Sequence, residues 1–202
     1  MKKLTIKILS YFLYKIVIRE LANATLMDSK GNFIKPFNPN CKEIDLEVVA
    51  VALSRIKRFF GQTKLSVAQH SVNMAKIFMY LGQYEFAKQA LLHEISEAFM
   101  GDLASPLKKA FPLFKEIEES LIKKTFLCYS LSYPMAQEVH KLDKSIVLNE
   151  AMKHMPNKKF WKKQGTPVDK KLLKKAGVDM EAWSEEKSYK EFMSLVKELK
   201  IK

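Results

Sequence analysis

Cysteine is almost missing from this 202-residue chain: only Cys41 and Cys128 occur, far apart and outside any pairing motif. That excludes a cysteine zinc cluster. It also suggests a reducing compartment, and the protein is expected to be cytoplasmic. The six glycines form no phosphate-cradling loop, and there is no repeat, heptad or zinc-finger spacing. No apolar run approaches the ~18 residues of a membrane-spanning helix, so no transmembrane segment is expected. The start, Met1-Lys2-Lys3 and LTIKILSYFLYKIVI, has the look of a secretion signal, but Lys7 and Lys15 interrupt it and Arg19-Glu20 precede the alanines. A signal core is uncharged. Residues 1–24 are therefore read as an amphipathic helix that packs on the domain or on a partner, with membrane-surface attachment as the alternative.

What is present suits a single globular domain. Apolar residues make up 48% and charged residues 28%, and the length is enough for one sizeable core. The net charge of +13 is uneven. Residues 1–64 hold 12 basic against 5 acidic residues, residues 65–155 hold 10 of each, and residues 156–202 hold 13 against 7. Basic flanks around a charge-balanced centre would attract an anionic substrate, although a solvated lysine face explains most lysines taken singly.

Periodicity predicts an all-α chain with one small hairpin. The hairpin falls in Thr25–Asn40, around a Lys30-Gly31 turn. Helices are expected over Glu43–Phe60, closed by Gly61, then over a stretch containing His70 and stopped by Gly82, and over Tyr84–Met100. A further helix starts at Pro106, and others cover Phe114–Ser132, Pro134–Met155 and Glu185–Leu199. Glu116, Glu118, Lys123 and Lys124 should face outward. Residues 1–202 are read as one domain: the N-terminal helix, a core over 25–155 and a basic extension over 156–202. In that extension KKFWKK could stack and pair with nucleic acid. The preferred reading is a surface loop pinned by its aromatics, with nucleic acid not expected as a partner.

The candidate site centres on Ala90–Lys108, ALLHEISEAFMGDLASPLK. On a continuous helix Glu97 lies beside both His93 and Glu94. Buried carboxylates without partners are costly, and a divalent cation would offset that cost. His70 is a lone histidine on an apolar helix, which is ordinarily structural. Asp143 stands among Val139, Leu142, Ile146 and Val147, with Glu150 seven residues on along the same face. His140 and His154 are read as surface or helix-end residues. A buried polar network without metal is the alternative, but in it the acids outnumber the cations.

His70, then His93 followed by an acid, then Asp143, is an order that resembles the HD-domain metal-dependent phosphohydrolases. The likeness is greatest to the compact YfbR-like 5′-deoxynucleotidase branch, over about residues 25 to 155, including ALSRIKRFFGQTKLSVAQHS and HEISEAFMGDLASPLK. The resemblance implies a helical HD-domain bundle and often a homodimer. It implies one divalent metal held by His70, His93, Glu94 and Asp143. Imidazole and carboxylate ligands suit Mn²⁺, Co²⁺, Fe²⁺ or Zn²⁺, with Mg²⁺ also a candidate. It further implies that Glu97 orients or deprotonates water and that Asp102 positions substrate or protonates the leaving 5′-oxygen. Arg58, with Arg55 as the alternative, would bind phosphate, helped by Lys108. The implied activity is hydrolysis of deoxynucleoside 5′-monophosphates, with triphosphate release from deoxynucleoside triphosphates as the alternative. One departure stands out: the family's His-Asp pair is His93-Glu94 here. The site either shifts and stays active, changes metal, or is degenerate and only binds nucleotides, nucleic acid or a partner.

Overall fold

The computed structural model describes residues 23–36 and 38–202, together with residues 12, 16 and 20. The helix expected over residues 1–24 thus falls largely outside the described residues. Short oxygen-bearing side chains set the starts of the first two long helices. Asp45 caps α1 (Leu46–Arg55) by accepting from the Glu47 N–H. Ser66 caps α2 (Val67–Tyr80) through the Gln69 N–H. Each such cap contributes about 1 kcal/mol. Then follow α3 (Tyr84–Leu92), α4 (Glu97–Met100), α5 (Ser105–Ala110) and α6 (Pro112–Cys128). The chain ends with α7 (Gln137–His154), α8 (Lys158–Trp161), α9 (Lys170–Lys175) and α10 (Glu185–Glu198). The strands β1 (Leu26–Met27) and β2 (Phe33–Ile34) pair antiparallel, Leu26 opposite Ile34, so the chain is mostly helical with the one expected hairpin. Among the described residues no helix is long and apolar enough to cross a membrane.

The centre of the fold is α2. Every residue from Val67 to Ala75 is buried, with Ile77 and Phe78, as befits a helix surrounded by others. It packs against α1, α3, α7, α9 and α10. Leu53, Leu65, Met74, Leu91, Leu92, Phe126, Ile146 and Phe192 fill the space between them. The loop before α10 meets its buried amides, Gln69 and Asn73, leaving only Asn73 Oδ1 of the two without a hydrogen bond. Gln69 donates to the Asp179 and Glu181 carbonyls and accepts from the Trp183 N–H, and Asn73 also donates to the Asp179 carbonyl. Ser66 and Ser188 join hydroxyls at 2.9 Å. The segment read as a basic extension therefore closes the same core, with Phe192 fully buried.

Three local expectations need correction. The first helix ends at Arg55 rather than Phe60. Ile56 is already extended, and Phe59, Phe60 and Gly61 follow with φ of 56°, 44° and 84°. Such left-handed backbone cannot continue a helix. The Arg58 N–H instead bonds the Leu65 carbonyl, and Val67 N–H the Ile56 carbonyl. Second, Tyr84–Met100 is two helices, because α3 stops at Leu92 and the next turns tighten to three-residue spacing, Glu97 N–H to Glu94 carbonyl. Third, the cysteines are not free: Cys41, in a 3-10 turn, is disulfide-bonded to Cys128 at the end of α6. Helix α6 lies along that turn, where Tyr129 also donates its hydroxyl to the Ile44 carbonyl. The argument for a reducing compartment falls with this pairing.

Candidate metal centre

The break after α3 determines where the centre forms. His93 follows the last residue of α3, where carbonyls run out of helical partners, and its Nδ1–H donates to the Ala90 carbonyl at 2.7 Å. Burial, reinforced by the nearby His70, pushes its pKa down. That bond places a proton on Nδ1, while Nε2 has no hydrogen-bond partner. His70 faces it from α2, the two ring centres 5.2 Å apart. Its Nδ1 lies 2.7 Å from Glu150 Oε1. Its Nε2 stands 3.2 Å from Asp143 Oδ1 without the alignment of a hydrogen bond. Burial and the Arg58 charge press the His70 pKa down, but Glu150 and Asp143 outweigh them and hold it at about 9 on protein charges alone.

Glu94, next to His93, places Oε1 3.5 Å from His93 Nε2 and 3.5 Å from an Arg58 guanidinium nitrogen. Burial resists its ionisation, but His93 and Arg58 prevail and its pKa is lowered. Asp143 is likewise held below the usual carboxylate range against burial, chiefly by His70. One ligand atom from each of His70, His93, Glu94 and Asp143 lies within 4.8 Å of the others. Bonds of about 2.1 Å put opposed ligands ~4.2 Å apart, so a contraction of a few tenths of an ångström would close the set on one ion. Three buried atoms, His70 Nε2, His93 Nε2 and Asp143 Oδ1, make no hydrogen bond, although His70 Nε2 and Asp143 Oδ1 face each other as an ion pair at 3.2 Å. Such atoms are ordinarily satisfied, and here they belong to three of the four converging side chains. The residues fit a divalent cation.

The residues around this set divide into two groups. Glu150 and Arg58 support it from one side: Glu150 is fully buried, and its second oxygen lies 3.0 Å from Arg58 Nε. The carboxylate therefore fixes both the His70 ring and the arginine, as outer partners of metal-bound histidines do. Sequence reasoning noted Glu150 on the Asp143 face and gave it no role. Its signal was a carboxylate two turns along a buried stripe, which must have a cationic or N–H partner. Arg55, the alternative phosphate ligand, is exposed and points toward Glu185 instead.

On the other side lie Glu97, Lys108 and Asp102. Lys108 Nζ sits 3.2 Å from Glu97 and 2.6 Å from Glu118. Glu118 therefore does not face outward as expected. Burial, then the Glu94 and Asp102 charges, raise the Glu97 pKa to about 10, against the pull of Lys108 and Arg58. Glu97 does stand near Glu94, but through the tightened turn, in which residues three apart eclipse, and not through a continuous helix. Asp102 is half-buried, with Oδ2 3.4 Å from the Phe60 N–H. His140 is exposed, and His154 ends α7 with Nε2 bonded to the Met180 carbonyl.

No family model matches the chain. A protein of Escherichia coli (strain K12), named "Uncharacterized protein YfdR", is 36% identical over 100 residues. That alignment covers 45% of this chain and 54% of the relative, so the chain spans about half the length of the curated relative it matches.

Proposed function

We propose that this protein is an HD-type, metal-dependent phosphohydrolase that cleaves the phosphate–5′-oxygen bond of deoxynucleoside 5′-monophosphates. The observation that carries the reading is the convergence of His70 Nε2, His93 Nε2 and Asp143 Oδ1, buried and without hydrogen bonds, beside the Glu94 carboxylate. These four side chains would hold the ion. Bound there, a divalent ion supplies Lewis acidity and water of lowered pKa.

The chain's own residues supply the rest. Arg58, tethered by Glu150, offers its guanidinium beside Glu94 as the group to orient a phosphate. Burial and the Glu94 and Asp102 charges favour the protonated form of Glu97 while no metal is bound. With the charge of the ion added, Glu97 keeps the expected role of orienting or deprotonating water, and Asp102 that of positioning substrate or protonating the leaving 5′-oxygen. Among the described residues the cations beside this cluster are Arg58 and Lys108, and Lys108 is already shared by two carboxylates. Little uncommitted positive charge is left for a triphosphate, which favours the monophosphate. The Glu94–Arg58 contact supports the reading in which glutamate takes the aspartate's place and the site stays active.

The test is phosphate and triphosphate release from a nucleotide panel with Mn²⁺, Co²⁺, Mg²⁺ and Zn²⁺. Metal-dependent phosphate release from deoxynucleoside monophosphates, abolished in His93→Ala, is the expected result. No release with any metal from any nucleotide would overturn the proposal.

A further inference from the structure

A cluster of unpaired lysines lies away from the metal centre, on the other side of α7. Asp143 and Glu150 look toward the histidines, whereas Asn149, Met152 and Lys153 border a separate cavity of about 580 Å³. Helix α8 supplies Lys158 and Lys162 to its rim, and α9 supplies Lys170 and Lys174. Its floor is apolar, made by Met152, Leu173, Val178 and Met180. Lys153 is already paired with Glu181. Among the described residues the other four lysines make no ion pair, and all four are exposed.

The cavity is held in shape. The Asn149 side chain donates to the Val168 carbonyl at 3.0 Å and accepts from the Val168 N–H at 2.8 Å, which fixes the strap between α8 and α9 to α7. At the end of α8 where that strap begins, Trp161 packs edge-on against Phe59 at 5.8 Å. Four ammonium groups around a concavity repel one another unless an anion joins them, and nothing in the hydrolytic reading uses them.

We propose that this cavity is a second ligand site, for a nucleotide carrying a chain of phosphates. The volume lies within the ~300–1,000 Å³ of small-molecule pockets. Four lysines match the roughly fourfold negative charge of a nucleoside triphosphate, and the apolar floor takes the base and sugar. A nucleic-acid strand fits less well. Strand-binding grooves present aromatic platforms, whereas no aromatic residue lines this cavity and Trp161 is engaged with Phe59. The site is independent of the hydrolytic reading, since α7 separates it from the histidines.

Equilibrium dialysis of ATP against EDTA-treated protein tests it, with inorganic triphosphate and a single-stranded oligonucleotide as parallel probes. ATP is expected to bind the metal-free wild type, and inorganic triphosphate at least tenfold more weakly. Lys162→Glu/Lys174→Glu should weaken ATP at least tenfold, and the milder Lys158→Gln/Lys170→Gln should weaken it in the same direction. As a measurement free of variants, ATP should protect Lys162 and Lys174 of the wild type from amine acetylation. The proposal is overturned by ATP binding that the lysine variants leave unchanged. It is equally overturned by inorganic triphosphate binding as tightly as ATP, by oligonucleotide binding without ATP binding, or by no protection of the lysines.

Discussion

Replacing Glu97 with glutamine isolates the electrostatics of the centre. Glu97 is 3% exposed, and its Oε2 has no hydrogen-bond partner. Its pKa is pushed to about 10 in the fold, from a reference of 4.5 in a free chain. The folded protein therefore binds this proton more tightly than the unfolded one. The associated stability is complete below pH 4.5 and is lost as pH climbs toward 10. At about 1.4 kcal/mol per unit, the 2.5 units between the reference and pH 7 amount to about 3 kcal/mol. Glutamine keeps the shape and cannot ionise, and Lys108 retains Glu118 at 2.6 Å. Urea unfolding in EDTA should thus find Glu97→Gln and wild type nearly equal near pH 5. The variant should be more stable by about 3 kcal/mol at pH 7, the gap widening by ~1.4 kcal/mol per unit. Parallel stability curves from pH 5 to 8.5 would refute the assignment of Glu97 as a buried neutral acid.

Three further outcomes follow from the same geometry. Glu150→Gln removes the carboxylate shared by His70 and Arg58, so calorimetric titration should show Mn²⁺ affinity reduced ~10–100-fold; unchanged affinity would deny Glu150 its supporting role. Glu94→Asp withdraws the carboxylate by one methylene from Arg58, already 3.5 Å away, and metal-dependent phosphate release should persist within about tenfold of the parent. Release by Glu94→Asp from an inactive parent would instead mark the native centre as degenerate. Cys41→Ser/Cys128→Ser removes a link between positions 87 apart, which the chain-entropy relation values at about 4–5 kcal/mol. Reductant should lower the unfolding midpoint of wild type and leave the variant unmoved; equal midpoints with and without reductant would contradict this.

Local signals carried much of the fold. Gly82 ends α2 as expected, because cap chemistry is local. The same holds for the Lys30-Gly31 turn of the hairpin. The helix break at His93 was not legible, since the apolar spacing of Tyr84–Met100 runs straight through it. What ends α3 is the exchange of a backbone partner for an imidazole at the Ala90 carbonyl. Gly61 does have the left-handed backbone expected of it, but in the loop that carries Arg58 rather than at a helix end. The Cys41–Cys128 bond and the sharing of Lys108 between Glu97 and Glu118 join distant elements. No spacing rule reaches across such separations. For the site, residue types and order were readable, whereas the seating of His70 and Arg58 on Glu150 needed three dimensions.

The most direct measurement is anomalous diffraction from crystals grown with Mn²⁺. The account predicts one peak per chain, within bonding distance of His70 Nε2, His93 Nε2, Glu94 and Asp143, and absent from His93→Ala crystals. An ion bound elsewhere, or side chains that stay apart at saturating metal, would contradict it.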